Sequence, residues 1–248
     1  MKILLALLLL AATPAFAQPA PPVLAAELSQ RRIAVTTAFS GGEIRVVGAT
    51  ERLIGEAGTG DQVLVLATGP APSLLVRETV KVLGLWVNGA GARFNRVPAY
   101  WAIAGTAPVA ALLNAEQRAE MRLGLDHLSL VQLGARGAQF RPALLALQQR
   151  AGLWANEVVP VEVSGGRLFH ARLPMPSTVV TGEYRVQVLL VREGRVAARQ
   201  ELRLDVERTG SAAWIADVAR GQPVLYGLAC IVLAAFAGWL GSVLFRRV

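Results

Sequence analysis

The chain has 248 residues, of which 54% are hydrophobic and 17% are charged, and its formal net charge is +8. The charged fraction lies below the roughly 25% of an average soluble protein, which excludes an intrinsically disordered chain. Long apolar runs occur only near the two ends, which excludes a polytopic membrane protein. The single cysteine, Cys230, excludes an intramolecular disulfide, and two histidines leave little material for a metal centre. We therefore expect neither a metal nor a cofactor.

Residues 1–17 have the organisation of a secretory signal peptide. Lys2 precedes an apolar run that ends at Ala12, and Ala15-Phe16-Ala17 supplies a small-x-small cleavage site. An apolar helix of about ten residues is about 15 Å long, half the hydrocarbon core of a bilayer, so an uncleaved anchor is disfavoured. We predict cleavage after Ala17, export to the periplasm, and an extended Pro/Ala linker over residues 18–26.

A second apolar run, from Pro223 to Phe245, contains no charged residue. As a helix it would be about 34 Å long, enough to cross a bilayer with some tilt. Arg246 and Arg247 follow at once, and arginine just past a span marks the cytoplasmic side. The sequence therefore predicts a transmembrane helix over 223–245 and a cytoplasmic tail over 246–248. The protein would lie in the bacterial inner membrane, with the bulk of the chain in the periplasm.

The basic character of the chain does not indicate a nucleic-acid partner. Without Lys2, Arg246 and Arg247, 22 basic side chains face 17 acidic ones. The two signs are interspersed along the chain, which is typical of a solvated surface. Export also separates the protein from cellular nucleic acid, and the bilayer is its first expected partner.

Alternating hydrophobicity between the two ends predicts a β-rich domain over residues 27–208, followed by a juxtamembrane segment over 209–222. Gly182 and Tyr184 open one alternating strand in a pattern that resembles the tyrosine corner of immunoglobulin-like sandwiches. We predict a mainly β fold with a helical insert, an immunoglobulin-like periplasmic β-sandwich carrying one C-terminal transmembrane helix. About four strands follow the helical insert, too few for a sandwich of their own, so we expect them to pair with the N-terminal strands.

The helical insert is predicted near residues 114–154. Asn114, with Gln117 three residues on, forms a capping box before the apolar repeat Met121, Leu125 and Leu128. A second helix is predicted from Phe140 to Trp154, with Pro142 near its start and its end near Gly152. Both helices are expected to pack on the sheet.

Aromatic residues are densest between residues 86 and 101. Asn88-Gly89 is a dipeptide typical of tight turns, so we predict a hairpin at that point. The favoured interpretation places the aromatic side chains in the core, and the alternative is an aromatic groove for a ligand or partner. The residues concerned are Trp86, Phe94, Tyr100 and Trp101.

Three stretches resemble an alphaproteobacterial transmembrane protein family of unknown function. The first runs from Gly84 to Tyr100, the second from Phe169 to Tyr184, and the third from Pro223 to Leu240. Members of that family share the order of signal peptide, periplasmic domain and C-terminal helix. The resemblance implies no catalytic residues. It implies as partner a permease similar to sulfite exporters, encoded beside family members.

No nucleophile elbow, zinc-protease motif or phosphate-binding loop is present in the sequence. The adjacent Asp126 and His127 would point in different directions on a helix, which favours a surface role over acid–base catalysis. We therefore predict a binding domain without enzymatic activity, an accessory partner of a polytopic membrane protein such as a sulfite-exporter-like permease. The alternatives are an envelope assembly or structural factor and a membrane-tethered hydrolase.

Small residues recur at a spacing of four in the predicted transmembrane helix. Such spacing lets two helices approach closely, and close packing is a main source of helix affinity in lipid. The predicted helix-packing face would bind the permease or a second copy of the chain. It consists of Ala234, Ala237, Gly238 and Gly241.

Overall fold

The computed structural model describes residues 23–55, 60–128, 130–133, 137–155, 157–210 and 219–245. The predicted signal peptide and cytoplasmic tail, with Arg246 and Arg247, lie outside the described residues. Within them, strands dominate, and short helices stand between the seventh and ninth strands. The predicted mainly β fold with a helical insert is confirmed.

Four strands form the first sheet, in the order β1-β3-β11-β10, and every neighbouring pair is antiparallel. Gly48 of β3 lies where a larger residue would not fit, because a Cβ there would stand 2.6 Å or less from the Phe169 ring and the Ala25 carbonyl. The strands are β1 (Leu24–Leu28), β3 (Gly41–Thr50), β10 (Glu162–Ser164) and β11 (Leu168–Pro176).

Six strands form the second sheet, in the order β2-β13-β12-β4-β7-β9. Its two edge strands pair in parallel and its interior pairs are antiparallel. The strands are β2 (Arg32–Val35), β4 (Gln62–Thr68), β7 (Trp101–Gly105), β9 (Val159–Pro160), β12 (Gly182–Arg192) and β13 (Arg195–Arg208).

Strands from before and after the helical insert pair with each other. β3 pairs with β11, β4 with β12, and β2 with β13. The expected pairing of the C-terminal strands with the N-terminal ones is confirmed. Both sheets contribute to one buried core, and their alternating residues, such as Val46 and Val186, have no exposed surface. Since strands from both halves of the chain build each sheet, neither half can bury its apolar face alone.

The tyrosine corner is present. The Tyr184 hydroxyl donates a hydrogen bond of 2.7 Å to the backbone carbonyl of Val180, four residues upstream, and the ring is fully buried. The bond pins the start of β12 to the turn that precedes it. The hydrogen bond expected from the Gly182-x-Tyr184 pattern is confirmed.

A third sheet, in the order β5-β6-β8, shares no strand with the other two. The hairpin turn between β5 and β6 is Leu83-Gly84, with φ of 50° and 87°, as two-residue hairpin turns require. The prediction of a turn at Asn88-Gly89 is wrong, because both residues lie inside β6, where Asn88 pairs with Thr79 of β5. The strands are β5 (Leu74–Val82), β6 (Leu85–Asn95) and β8 (Val131–Leu133).

The insert contains helices α1 (Val109–Leu112), α2 (Ala115–Glu120) and α3 (Gly137–Arg150) and a 3₁₀ turn at Leu125–His127. The capping box of Asn114 and Gln117 is confirmed. The expected helical repeat through Leu128 is wrong, because the chain leaves the helix at Arg122 and Gly124, whose φ values are 55° and 128°. The second helix begins three residues earlier than predicted and ends before Gly152, whose φ is 69°. α3 packs on the third sheet.

The N-terminal end of the described chain departs from its predicted bounds, whereas the C-terminal helix matches them. β1 begins at Leu24, inside the range predicted as a linker, since this stretch pairs with β3 and buries Ala26. The apolar C-terminal segment forms one helix, α4 (Pro223–Phe245), over the predicted range. It is the one helix of the described residues that is long and apolar enough to cross a membrane.

Candidate functional site

The structure separates the four aromatic residues proposed as a core cluster or groove. Phe94, Tyr100 and Trp101 are buried, whereas 68% of Trp86 is exposed. The core interpretation is therefore wrong for Trp86. The reason is the position of the turn, since a turn at Leu83-Gly84 places Trp86 opposite Lys81 at the far end of the hairpin. Phe94 pairs with Leu74 at the base of the same hairpin, where it is covered by the domain.

The far end of the β5–β6 hairpin is an exposed apolar surface, which we call the hairpin tip. Leu83 is 99% exposed, and at least half of the surface of Val82, Leu85 and Trp86 is exposed as well. No helix or strand of the described residues covers it. A soluble monomer rarely exposes so many large apolar side chains together, and such patches mark binding surfaces. The hairpin tip consists of Val82, Leu83, Leu85 and Trp86.

The geometry of the hairpin suits it for insertion into a partner. The two strands are paired without interruption from Thr79 and Asn88 to the turn, so the tip is held by backbone hydrogen bonds. A bulge between Arg77 and Thr79 separates this distal part from the base. A tip that is already ordered loses little conformational entropy when it binds, which favours affinity.

The four small residues of the predicted helix-packing face lie on α4, and side chains of that helix are exposed. Gly238 and Gly241 have no atom within 4 Å of the position that a Cβ would occupy. Phe236 and Trp239 contact each other, with ring centroids 5.9 Å apart. The face of Ala234, Ala237, Gly238 and Gly241 is thus open within the described chain, and its packing role remains a prediction.

The weak acid–base candidates lie in unremarkable surroundings. Asp126 and His127 occupy the 3₁₀ turn, with the Asp126 side chain at the surface. The adjacent Arg141 binds the carbonyls of Asp126 and Leu128. Among the described residues, no group of three or more His, Cys, Asp or Glu side chains is arranged to hold a metal.

Two buried tyrosines link the four-stranded sheet to the six-stranded one. The rings of Tyr100 and Tyr184 lie 5.8 Å apart, and the Tyr100 hydroxyl donates to the carbonyl of Pro174 at 2.8 Å. Burial raises the pKa of Tyr184 to about 12, and the hydrogen bond to Val180 lowers it in part. Burial also raises the pKa of Tyr100, with a contribution from the charge of Tyr184. Both phenols therefore stay neutral and act as structural donors.

Sequence patterning did not reveal the hairpin tip, although a signal was present. Leu83-Gly84 provides the glycine of a two-residue turn, but Leu at the first turn position is unusual. Asn88-Gly89 matches the residue preference of tight turns better than Leu83-Gly84 does. The sequence pattern therefore predicts the turn at the wrong place. An uninterrupted apolar run around a turn glycine, such as Val82 to Val87, predicts an exposed apolar tip whenever the turn is assigned there.

One known protein family matches nearly the whole chain. The family model described as "Putative transmembrane protein (Alph_Pro_TM)" matches residues 23–247. The chain belongs to this family. The match contains the β domain and α4 together. No curated protein matches the chain.

Proposed function

We propose that this chain is a single-pass inner-membrane protein whose periplasmic domain binds a polytopic membrane protein through the hairpin tip. A sulfite-exporter-like permease is the leading candidate for that partner. The observation that carries the proposal is the exposure of Leu83, Leu85 and Trp86 at the end of an ordered hairpin.

The choice of a binding role follows from what the tip contains. Tryptophan and leucine side chains at the centre of a contact supply large apolar area, and tryptophan is enriched among the residues that dominate binding energy. Trp86 pairs across the hairpin with Lys81, whose charge marks the polar edge of the surface. An apolar centre with a charged edge is the usual anatomy of a protein interface.

The choice of a partner within the membrane follows from α4. Its apolar side chains are exposed, including those around the small-residue face. A protein embedded in the same bilayer is the kind of partner that can contact the hairpin tip and α4 together. Confinement to one membrane also raises the effective concentration of each protein for the other, so a modest contact suffices.

The proposed orientation rests on charge. The apolar N-terminal segment with its cleavage pattern directs the domain out of the cytoplasm, and Arg246 and Arg247 favour a cytoplasmic C-terminus. This arrangement leaves the hairpin tip in the periplasm, where it meets the external face of a permease.

Co-purification tests the proposal. The tagged full-length protein is crosslinked in its native membrane, extracted in mild detergent, and its partners are identified by mass spectrometry. We expect a stoichiometric polytopic protein with the wild type, and its loss with Leu85→Ser and Trp86→Ser. Leu147→Ser, at another exposed leucine on α3, is the matched control and should retain the partner.

Two outcomes would overturn the proposal. Full recovery of the polytopic protein by a variant that carries both Leu85→Ser and Trp86→Ser would place the interface elsewhere. Recovery of soluble periplasmic proteins alone, still dependent on the tip, would favour the assembly-factor alternative. Unchanged melting temperatures of the tip variants distinguish a lost contact from a lost fold, since both side chains are exposed.

A further inference from the structure

A second surface feature lies on the opposite side of the six-stranded sheet from the four-stranded one. Here the helical insert leaves part of the sheet uncovered and bounds a cleft of about 520 Å³. Four arginines line it. Arg185 and Arg199 lie on β12 and β13, Arg96 follows β6, and Arg122 follows α2. We call this feature the arginine cleft.

Among the described residues that line the arginine cleft, positive charges outnumber negative ones. Of the described residues that line it, Glu120 alone is acidic. None of the four arginines forms an ion pair with a described residue, whereas Arg203, on the same strand as Arg199, pairs with Glu183 at 3.6 Å. Glu201 lies on β13 between Arg199 and Arg203 and pairs with Gln187 of β12, but it does not line the cleft. Four arginines that face one carboxylate in the same cleft leave a net positive charge, which attracts an anion.

Two of these arginines also adopt an uncommon backbone conformation. Arg96 and Arg122 both have φ of 55°. The other two non-glycine residues with positive φ in the described chain, Leu83 and Glu193, each precede a glycine in a hairpin turn that requires it. Arg96 and Arg122 lie outside the β-hairpins, and both line the cleft. Such outliers concentrate at binding and catalytic sites.

Trp101, which lines this cleft and a second one, has a buried side-chain donor without an acceptor among the described residues. Its ring is 3% exposed and forms part of the cleft wall, and its Nε1 has no hydrogen-bond partner among the described residues. The neighbouring Trp154, equally buried, donates its Nε1 proton to the carbonyl of Pro98 at 2.8 Å. A buried donor without an acceptor is rare and calls for a bound group or a water molecule.

The wall of the cleft also contains apolar side chains, together with the polar Thr68 and Gln187. Leu66 of β4 and Leu128 are buried side chains in this wall, and Met121 also lines the cleft. Inorganic oxyanions are fully hydrated and gain nothing from such contacts, whereas an apolar body does. The Trp101 N–H therefore favours a ligand with a polar group, and Leu66 favours a ligand with an apolar part. A small organic anion has both.

We propose that the arginine cleft binds a small organic anion, with its carboxylate or sulfonate held by the arginines and the Trp101 N–H and its apolar part against Leu66 and Met121. This binding site is separate from the hairpin tip, so the proposal does not depend on the membrane partner. The anion would fix the two loops that carry Arg96 and Arg122 against the sheet.

Calorimetric titration of the full-length protein in mild detergent tests the proposal, with benzoate as the probe and the ionic strength held constant with chloride. We expect saturable binding of one benzoate per chain. Arg185→Gln and Arg199→Gln should each weaken it by about tenfold, as expected for a lost charge-assisted hydrogen bond. Trp101→Phe, which keeps a ring and removes only the N–H donor, should weaken it by about fivefold.

Arg195→Gln is the matched control, because Arg195 is an exposed arginine of the same strand, β13, outside the cleft. It should bind benzoate as the wild type does. Absence of saturable binding at about 10 mM benzoate, where a millimolar site would be largely filled, would overturn the proposal. Equal affinity in the Arg185 and Arg199 variants would do the same. Sulfate binding at least as tight as benzoate binding would overturn the assignment of an organic ligand.

Discussion

Arg192 and Asp61 form a two-bond ion pair that joins the C-terminal end of β12 to the residue before β4. The Arg192 Nε donates to one carboxylate oxygen at 2.7 Å and its Nη2 donates to the other at 2.9 Å. The Asp61 side chain is 1% exposed and that of Arg192 is 21% exposed. The contact of Asp61 also raises the pKa of Arg192. The pair therefore links β12 to the start of β4 at one end of the six-stranded sheet.

The first prediction concerns the stability of this pair. Arg192→Met keeps the length of the side chain but leaves the Asp61 carboxylate buried without a partner. We expect the free energy of unfolding to fall by about 3 kcal/mol, as for other buried ion pairs that lose one member. Denaturant unfolding of the purified protein, followed by circular dichroism, measures the change. Arg195→Met is the control, and an effect as large as that of Arg192→Met would contradict the explanation.

The second prediction concerns alkaline pH. The pKa of Tyr184 is raised by burial from 10 to about 12, so between these values the unfolded chain releases a proton that the folded chain keeps. Stability from this group is complete below pH 10 and is lost as the pH rises. The free energy of unfolding should fall by about 1.4 kcal/mol per pH unit for such a tyrosine.

Unfolding measured from pH 8 to pH 11.5 in the wild type and in Tyr184→Phe checks this loss. The variant loses the hydrogen bond to Val180, so at pH 8 it should be less stable by about 1 kcal/mol. Its dependence on pH should be shallower, with the remainder due to Tyr100, whose pKa burial also raises. An equally steep decline in the variant would show that Tyr184 is not the group that titrates.

The third prediction separates the base of the β5–β6 hairpin from its tip. Phe94→Ala empties a fully buried position and should cost about 3–5 kcal/mol. Trp86→Ala removes an exposed ring and should change stability by less than about 0.5 kcal/mol. Melting temperatures of both variants, measured in the same detergent, check the contrast. A large loss in Trp86→Ala would mean that the hairpin tip is covered by the protein itself.

The fourth prediction concerns topology. A reporter that is active only in the periplasm should be active when it is inserted in the 18–26 region and silent when it is fused after Val248. The charge argument at Arg246 and Arg247 requires this result. Removing both arginines should reduce the bias. Activity at the C-terminus of the unaltered chain would invert the proposed orientation.

The fifth prediction concerns the small-residue face of α4. Gly238→Ile and Gly241→Ile should insert normally but lose helix association, because a branched side chain prevents the close approach of two helices. Crosslinking of each variant in membranes, at matched expression, measures the association. Leu233→Ile changes only the branching of an exposed side chain and serves as the control. Wild-type crosslinking by the double isoleucine variant would reduce α4 to an anchor.

The sequence by itself determined the features whose signals are local. The apolar run from Pro223 to Phe245 has no charge, and it forms one helix over those residues because its backbone needs no distant partner. The capping box at Asn114 and the tyrosine corner at Tyr184 were recognisable for the same reason, since each hydrogen bond joins residues that lie within four positions of each other. The mainly β character follows from the alternation of apolar residues.

Only the tertiary structure decided which features lie together. Whether Trp86 is buried depends on where the turn falls. A turn at Asn88-Gly89 was expected to place the ring in the core, whereas the observed turn at Leu83-Gly84 places it at the surface. The arginine cleft collects Arg96, Arg122, Arg185 and Arg199 from strands and loops up to about a hundred residues apart. Residues that distant become neighbours through strand pairing and the packing of the insert, neither of which leaves a periodic signal in the sequence.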